Sequence, residues 1–158
     1  MDDAVVRAVV AQLLKESHAE VGPRKAFDGV PPELRSVVPF AGGHSVWDQL
    51  EHMRLAQEDI LRYTIDPAWR SPAWPSGYWP APVERVTDEM WTRSLESFFA
   101  DLDAVVALVK DPKVDLSARI PHGEKRTYLR QALLVADHNA YHLGGVVATR
   151  RALGAWKG

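Results

Sequence analysis

Four long segments of the chain carry apolar residues at the three-four spacing of an amphipathic helix, and this pattern constrains the fold more than any other feature. It predicts helices over about 2–18, 45–64, 87–110 and 127–152. The third is the clearest, because Thr87 is a suitable N-cap and an unbroken apolar stripe follows it. That stripe comprises Trp91, Leu95, Phe98, Leu102, Val105 and Val109.

The other three helices carry consistent signals of their own. The first has apolar residues in adjacent pairs at 5–6, 9–10 and 13–14, and its length and period favour helix over strand. Ser45 and Asp48 form the pattern of a capping box at the start of the second helix. The fourth ends with two arginines in its last turn and a glycine shortly after it.

Helices of about 17 to 26 residues that each have one apolar stripe bury those stripes best as a four-helix bundle. The first two connections, of about 26 and about 22 residues, exceed the usual 2 to 8. The predicted fold is therefore all-α, a four-helix bundle with long crossover connections. The Pro-containing residues 30–37 could add one helical turn to the first connection. A length of 158 residues fits a single domain over 1–158.

Composition excludes several classes of protein. No run of apolar residues is long enough for a membrane span, and the acidic first residues are unlike the basic start of a secretory signal. The absence of cysteine excludes disulfides, thiolate metal sites and a cysteine nucleophile. A net charge of −2 provides no basic face for nucleic acid. We expect a cytoplasmic protein that binds neither membranes nor nucleic acid.

Two of the six histidines point to a metal site. His138 and His142 are four residues apart in the fourth helix, so both rings lie on one face and can bind one divalent ion. Apolar residues flank the pair, and without cysteine the natural ions for such a site are zinc or nickel. A polar pair on a solvated helix face is the alternative.

A third ligand should come from another helix, and His52 is the best candidate, although it could instead be a hydrogen-bonded core residue. Three histidines would leave one coordination position open, as in catalytic metal sites. His44 could be a further ligand, a proton shuttle or a neighbour of the helix cap. No HExxH glutamate is present, so a catalytic base would be another group, for which Asp48 and Glu51 are candidates. Asp59 and Asp137 are further candidates, whereas His18 and His122 are expected at the surface.

These residues together resemble the DinB-like (DinB/YfiT) superfamily over essentially the whole chain. The similarity lies in residues 43–52, GHSVWDQLEH, and residues 133–144, LLVADHNAYHLG. The resemblance implies a crossover four-helix bundle that holds a divalent metal by three histidines, which here are His52, His138 and His142. It also implies relatives that are often dimers and that include metal-dependent enzymes using low-molecular-weight thiols.

Residues 67–82 form an aromatic loop with five prolines, three tryptophans and one tyrosine. Such a composition predicts an ordered segment that closes the end of the bundle, forms a subunit interface or narrows access to the metal. The leading hypothesis is a homodimeric, metal-dependent enzyme, a small-thiol transferase or hydrolase with a small-molecule substrate. The alternatives are a non-catalytic binding module or dimeric structural protein with a structural metal, and a metal-free bundle with buried histidines.

Overall fold

The computed structural model describes residues 2–16 and 21–157, and their regular structure is helical. Its α-helices are α1 (Asp3–Glu16), α2 (Pro23–Phe27), α3 (Val46–Ile65), α4 (Asp88–Lys110) and α5 (Tyr128–Ala152). Short 3-10 helices span Pro32–Leu34 and Ser76–Tyr78. These described residues contain no β-strand, and the pairing of Arg119 with Thr127 is an isolated bridge. The all-α prediction is confirmed.

The predicted helix starts are confirmed by their caps. The Ser45 hydroxyl accepts a hydrogen bond from the backbone N–H of Asp48 at 3.0 Å, and the Asp48 carboxylate accepts one from the Ser45 N–H at 2.9 Å. This is the capping box, which satisfies two backbone donors at once. Thr87 and Thr127 cap α4 and α5 in the simpler way, each by accepting from a backbone N–H at 3.2 Å.

The first connection confirms one prediction and contains one helix that was not predicted. The 3-10 helix at Pro32–Leu34 confirms the expected single turn, but α2 was not predicted because five residues are too few to show a helical period. The predicted end of the first helix near His18 lies outside the described residues, and α1 as described ends at Glu16. The expectation that His18 lies at the surface also falls outside them.

The four long helices share one core. Both α1 and α3 pack against α4 and α5, while α2 packs on α5. Phe98 of α4, Leu50 and Met53 of α3, and Val135 and Val146 of α5 are fully buried there. This order places α3 beside α5, which brings their histidines to one contact. The all-α class is confirmed, whereas the four-helix bundle with long crossover connections stays a prediction.

Only one member of each apolar pair in α1 faces this core. Val10 and Leu14 are buried together with Ala11, whereas Val5 and Val9 are exposed. Successive residues of a helix point about 100° apart, so the two members of each pair face different directions and only one lies toward α4 and α5.

None of the helices in the described part of the chain combines the length and apolar character that a transmembrane span needs.

Arg7 fastens α1 to the end of α4. Its buried guanidinium donates hydrogen bonds to the carbonyl oxygens of Val109 at 2.8 Å, Asp111 at 2.9 Å and Val114 at 2.7 Å. The carbonyls at a helix C-terminus have no partner inside the helix, so one cationic side chain satisfies several of them here.

We expect Arg7→Ala to lower the free energy of unfolding by about 2–3 kcal/mol, because it leaves buried carbonyls unpaired. Urea unfolding measures this change. Lys15→Ala is the matched control on the same helix, since the 3.1 Å pair of Lys15 with Asp103 is exposed and should contribute less than about 1 kcal/mol. Equal losses in the two variants would contradict this role of Arg7.

Candidate metal centre

The structure brings the three predicted histidines together where α3 meets α5. One ring nitrogen from each of His52, His138 and His142 lies within 4.8 Å of the others. The Nε2 atoms of His52 and His138 are 3.1 Å apart. The centroid of the His142 ring is 4.4 Å from that of His52 and 4.5 Å from that of His138. Three rings on two helices thus converge on one point.

This donor set fits a divalent ion. Two nitrogens bound to one tetrahedral ion at about 2.0–2.1 Å lie about 3.3 Å apart, close to the separation of the His52 and His138 Nε2 atoms. Three neutral imidazoles are also the donors that zinc and nickel accept readily. Such a set occupies three of four tetrahedral positions.

His52 is fixed by the aromatic loop. Its Nδ1 lies 2.7 Å from the carbonyl oxygen of Tyr78, and because a carbonyl can only accept, Nδ1 carries the proton. Nε2 therefore keeps its lone pair toward the other two histidines. A hydrogen bond of this kind, to the nitrogen that does not ligate, is the usual support of a metal-binding histidine.

Asp59 in turn holds the loop on α3. Its carboxylate accepts hydrogen bonds from Trp69 Nε1 at 2.7 Å and from the Tyr78 hydroxyl at 2.8 Å. Burial, with a further contribution from Asp59, raises the pKa of Tyr78 to about 12. The predicted candidate base Asp59 is thus engaged in anchoring the loop that orients His52.

Trp79 covers the histidines from the side of the loop. Its ring stacks on His52 with centroids 4.0 Å apart and on His44 with centroids 4.1 Å apart. It also meets the edge of His142 at 6.3 Å. The aromatic loop is therefore part of the site and shields one face of His52 from water.

A chain of buried amides ends beside His138. Asn139 donates through Nδ2 to Gln57 Oε1 at 2.9 Å, and Gln57 donates through Nε2 to the carbonyl of Phe98 at 2.7 Å. Among the described residues, Asn139 Oδ1 and His138 Nδ1 are both buried without a partner. Burial lowers the pKa of His138, and the Asn139 side chain partly opposes this effect, as an acceptor close to a ring N–H does.

All three rings are held in the neutral form. Burial, aided by charge repulsion from neighbouring histidines, lowers the pKa of His138 and that of His142 to about 4. Burial also lowers the pKa of His52, against the opposing effect of the Tyr78 carbonyl. A neutral imidazole is the form that binds a metal ion.

The other predicted residues occupy different places. His44 lines the same cleft but, within the part of the chain that is described, does not join the group of converging donors. The Asp48 carboxylate is engaged in the capping box. Glu51 faces a separate cavity, where it pairs with Arg54 at 2.8 Å and accepts a hydrogen bond from Ser94. The structure therefore does not bring Glu51 to the histidines.

His122 is half-buried, and its Nε2 contacts the carbonyl oxygen of Tyr63 at 2.7 Å. His122 was expected at the surface, and the structure shows it only partly exposed. Asp137 is exposed on α5.

A cleft of about 720 Å³ opens beside the histidines. His52 and His142 lie in its wall together with Trp79, and the glycines 144 and 145 contribute bare helix backbone. A Cβ at Gly145 would collide with Gln49 Oε1, so the absence of a side chain lets α3 and α5 approach. A small molecule in this cleft could reach the histidine nitrogens.

Comparison with known protein families finds one family that matches most of the chain. The family model of the DinB superfamily matches residues 23–146, which include all three histidines. The chain belongs to the DinB superfamily. No curated protein and no solved structure gives a significant match to it.

Some residues of this DinB-superfamily site escaped the sequence analysis. The Tyr78 carbonyl is a backbone group and leaves no signal in the sequence. Gln57 and Asn139 lie on the buried faces of α3 and α5, and a polar residue at a core position is the one signal that could have marked them. Gly145, inside the predicted fourth helix, was a comparable sign of close packing.

We expect the metal-free protein to lose stability as the pH falls from about 6.5 to about 4. In the unfolded chain histidines take up protons near pH 6.5, whereas folded His138 and His142 stay neutral until about pH 4. The contribution of these histidines to the free energy of unfolding is therefore fully present above their pKa in the unfolded chain, about 6.5, and is lost as the pH falls below it. Urea unfolding of chelator-treated protein across this range measures the decline.

His138→Leu should show a smaller decline, because leucine takes up no proton in either state. Carboxylates titrate nearly alike in both proteins, so the difference between the two curves reports the proton uptake of His138 together with the loss of its repulsion on His142. An identical pH dependence in the variant would contradict a neutral buried His138.

Proposed function

We propose that this DinB-superfamily protein binds one divalent ion, Zn²⁺ or Ni²⁺, through His52, His138 and His142. We further propose that it is a metal-dependent enzyme for a small molecule, a small-thiol transferase or a hydrolase. The convergence of three neutral histidine nitrogens within 4.8 Å beside an open cleft carries the proposal. A bound divalent ion would lower the pKa of a coordinated water or thiol and so supply a nucleophile at neutral pH.

The chain's own residues would prepare the site for this chemistry. Tyr78 orients His52 through its carbonyl, and Trp79 covers one face of the same ring. His142 faces the cleft, so a ligand would approach from its side. His44, which lines the cleft and stacks on Trp79, is placed to exchange protons with a bound molecule.

Asn139 and Gln57 support the same arrangement at His138. If Asn139 Oδ1 accepts from the His138 Nδ1–H, the amide chain runs without a gap to the carbonyl of Phe98. Both orphaned atoms are then satisfied, and His138 Nε2 is left with its lone pair toward His52. A positioned tautomer of this kind is what a metal ligand needs.

An open coordination position favours a catalytic ion over the rival of a structural one. Structural zinc is normally bound by four protein ligands, whereas three donors converge in the described chain.

We also propose that residues 1–158 form a single domain and that the protein is a cytoplasmic homodimer. The exposed apolar residues Val5, Val9 and Leu13 of α1 are compatible with a subunit contact.

We expect protein purified without an affinity tag to contain about one zinc or nickel per chain, and His138→Ala to have lost it, because a site of two histidines holds the ion weakly. Elemental analysis measures both. His122→Ala is the matched control, since His122 contacts the Tyr63 carbonyl away from the cluster. Full metal content in His138→Ala, or no binding of offered Zn²⁺, Ni²⁺ or Mn²⁺ by the unaltered protein, would refute the site.

We expect Asn139→Leu to weaken Zn²⁺ binding by about 10- to 100-fold, because His138 loses the acceptor that orients it. Competition with a chromophoric chelator measures the dissociation constant. Asn139→Asp is the matched control, since its carboxylate can still accept from Nδ1, and its affinity should stay closer to that of the unaltered protein. Equal affinities in all three proteins would show that the amide chain only stabilises the core.

A further inference from the structure

Three exposed aromatic side chains surround the mouth of the cleft. Phe40, Trp74 and Tyr141 remain 61%, 77% and 79% exposed, and all three line the cleft. They come from the connection before α3, from the aromatic loop and from α5. Single exposed apolar residues are ordinary, but large rings from three distant segments around one cleft are typical of a binding site.

Two glycines of the cleft lining stand beside open space. Gly42 lies in the connection before α3, and Gly144 lies on α5. A Cβ built at Gly144 would meet no atom within 4 Å. The wall there is bare backbone beside open space, so a flat group can lie against it.

The lining of the cleft is without formal charge apart from what its histidines can acquire. Among the described residues, 2–16 and 21–157, no aspartate, glutamate, lysine or arginine lines it. Two of its polar side chains are engaged: Gln49 Nε2 donates to Thr149 Oγ1 at 3.0 Å, and the Thr149 hydroxyl donates to the His44 carbonyl at 3.2 Å. A carboxylate held in the cleft away from the metal would lose part of its hydration without gaining a lysine or arginine partner from these lining residues.

We propose that the cleft selects a small thiol whose body is an uncharged ring. The sulfur faces His52 and His142, the thiol proton leaves to solvent, and the ring packs among Phe40, Trp74 and Tyr141. This inference rests on the proposed function, because it assumes a metal held by the three histidines. It adds the class of ligand, which neither the histidines nor the family assigns.

The test uses Co²⁺ in place of the native ion, because a thiolate bound to Co²⁺ gives a charge-transfer absorption band. The Co²⁺-loaded protein is titrated with benzyl mercaptan, with 2-mercaptoethanol and with 4-(mercaptomethyl)benzoate. The second lacks the ring, and the third adds only a carboxylate to it. We expect benzyl mercaptan to bind about tenfold more tightly than either, the factor that one or two favourable aromatic contacts supply.

Variants of the rim locate the preference. Trp74→Ala and Tyr141→Ala should each reduce the preference for benzyl mercaptan over 2-mercaptoethanol severalfold while Co²⁺ binding stays unchanged. Leu133→Ala is the matched control, because Leu133 is an exposed apolar residue of α5 outside the cleft lining. Its preference should equal that of the unaltered protein.

The outcomes separate this inference from the function on which it rests. Failure to bind Co²⁺ would refute the metal site. If Co²⁺ binds but none of the three thiols produces a charge-transfer band, the thiol chemistry is refuted. Equal affinities for the three thiols would overturn the ligand class alone. Trp74→Ala or Tyr141→Ala could instead change the protein from dimer to monomer and leave the thiol preference unaltered. That result would assign the rim to a subunit contact and would also overturn the inferred ligand class.

Discussion

The hydrogen bond from His52 Nδ1 to the carbonyl of Tyr78 joins the two parts of the molecule on which the site depends. One part is the helical core, in which α3 carries His52 against α5. The other is the aromatic loop over 67–82, which Asp59 holds on α3 through Trp69 and Tyr78. Because the bond is made by a backbone group, the ring can be oriented only if the loop itself is ordered.

Bringing three imidazoles to one point would be unfavourable without a partner for them. Each ring is partly or largely removed from water, which lowers its pKa and so suppresses protonation. Burial of polar groups is tolerated when every group is satisfied. Tyr78 supplies one partner, Asn139 lies next to His138, and the Nε2 atoms of His52 and His138 lie within hydrogen-bond distance of each other. The three converging histidines could also hold a divalent ion.

Much of this could be predicted from the sequence, because helical periodicity is a local signal. The start of α4 at Thr87 and the spacing of His138 and His142 depend only on residues within a few turns of each other. The pairing of His52 with them is non-local, so the helical pattern made His52 the best candidate for a third ligand and the family resemblance implied the same residue. Glu51 was a reasonable candidate base by its position one residue before His52, but neighbours in a helix point about 100° apart. It therefore faces Arg54 and α4 instead of the histidines.

What could not be predicted is the course of the irregular segments. The aromatic composition of residues 67–82 indicated order, yet it could not show that Trp79 stacks on His52 while Trp74 stays exposed. The two tryptophans are five residues apart in a segment without a regular period, so no rule of spacing separates their roles. Their different positions follow from the hydrogen bond that the Tyr78 hydroxyl donates to Asp59, which holds Tyr78 over α3. Trp79, the next residue, is thereby directed to the histidines, and Trp74 is left at the mouth of the cleft. One anchored carboxylate thus separates the aromatic ring that packs on the histidines from the ring that stays exposed beside the cleft.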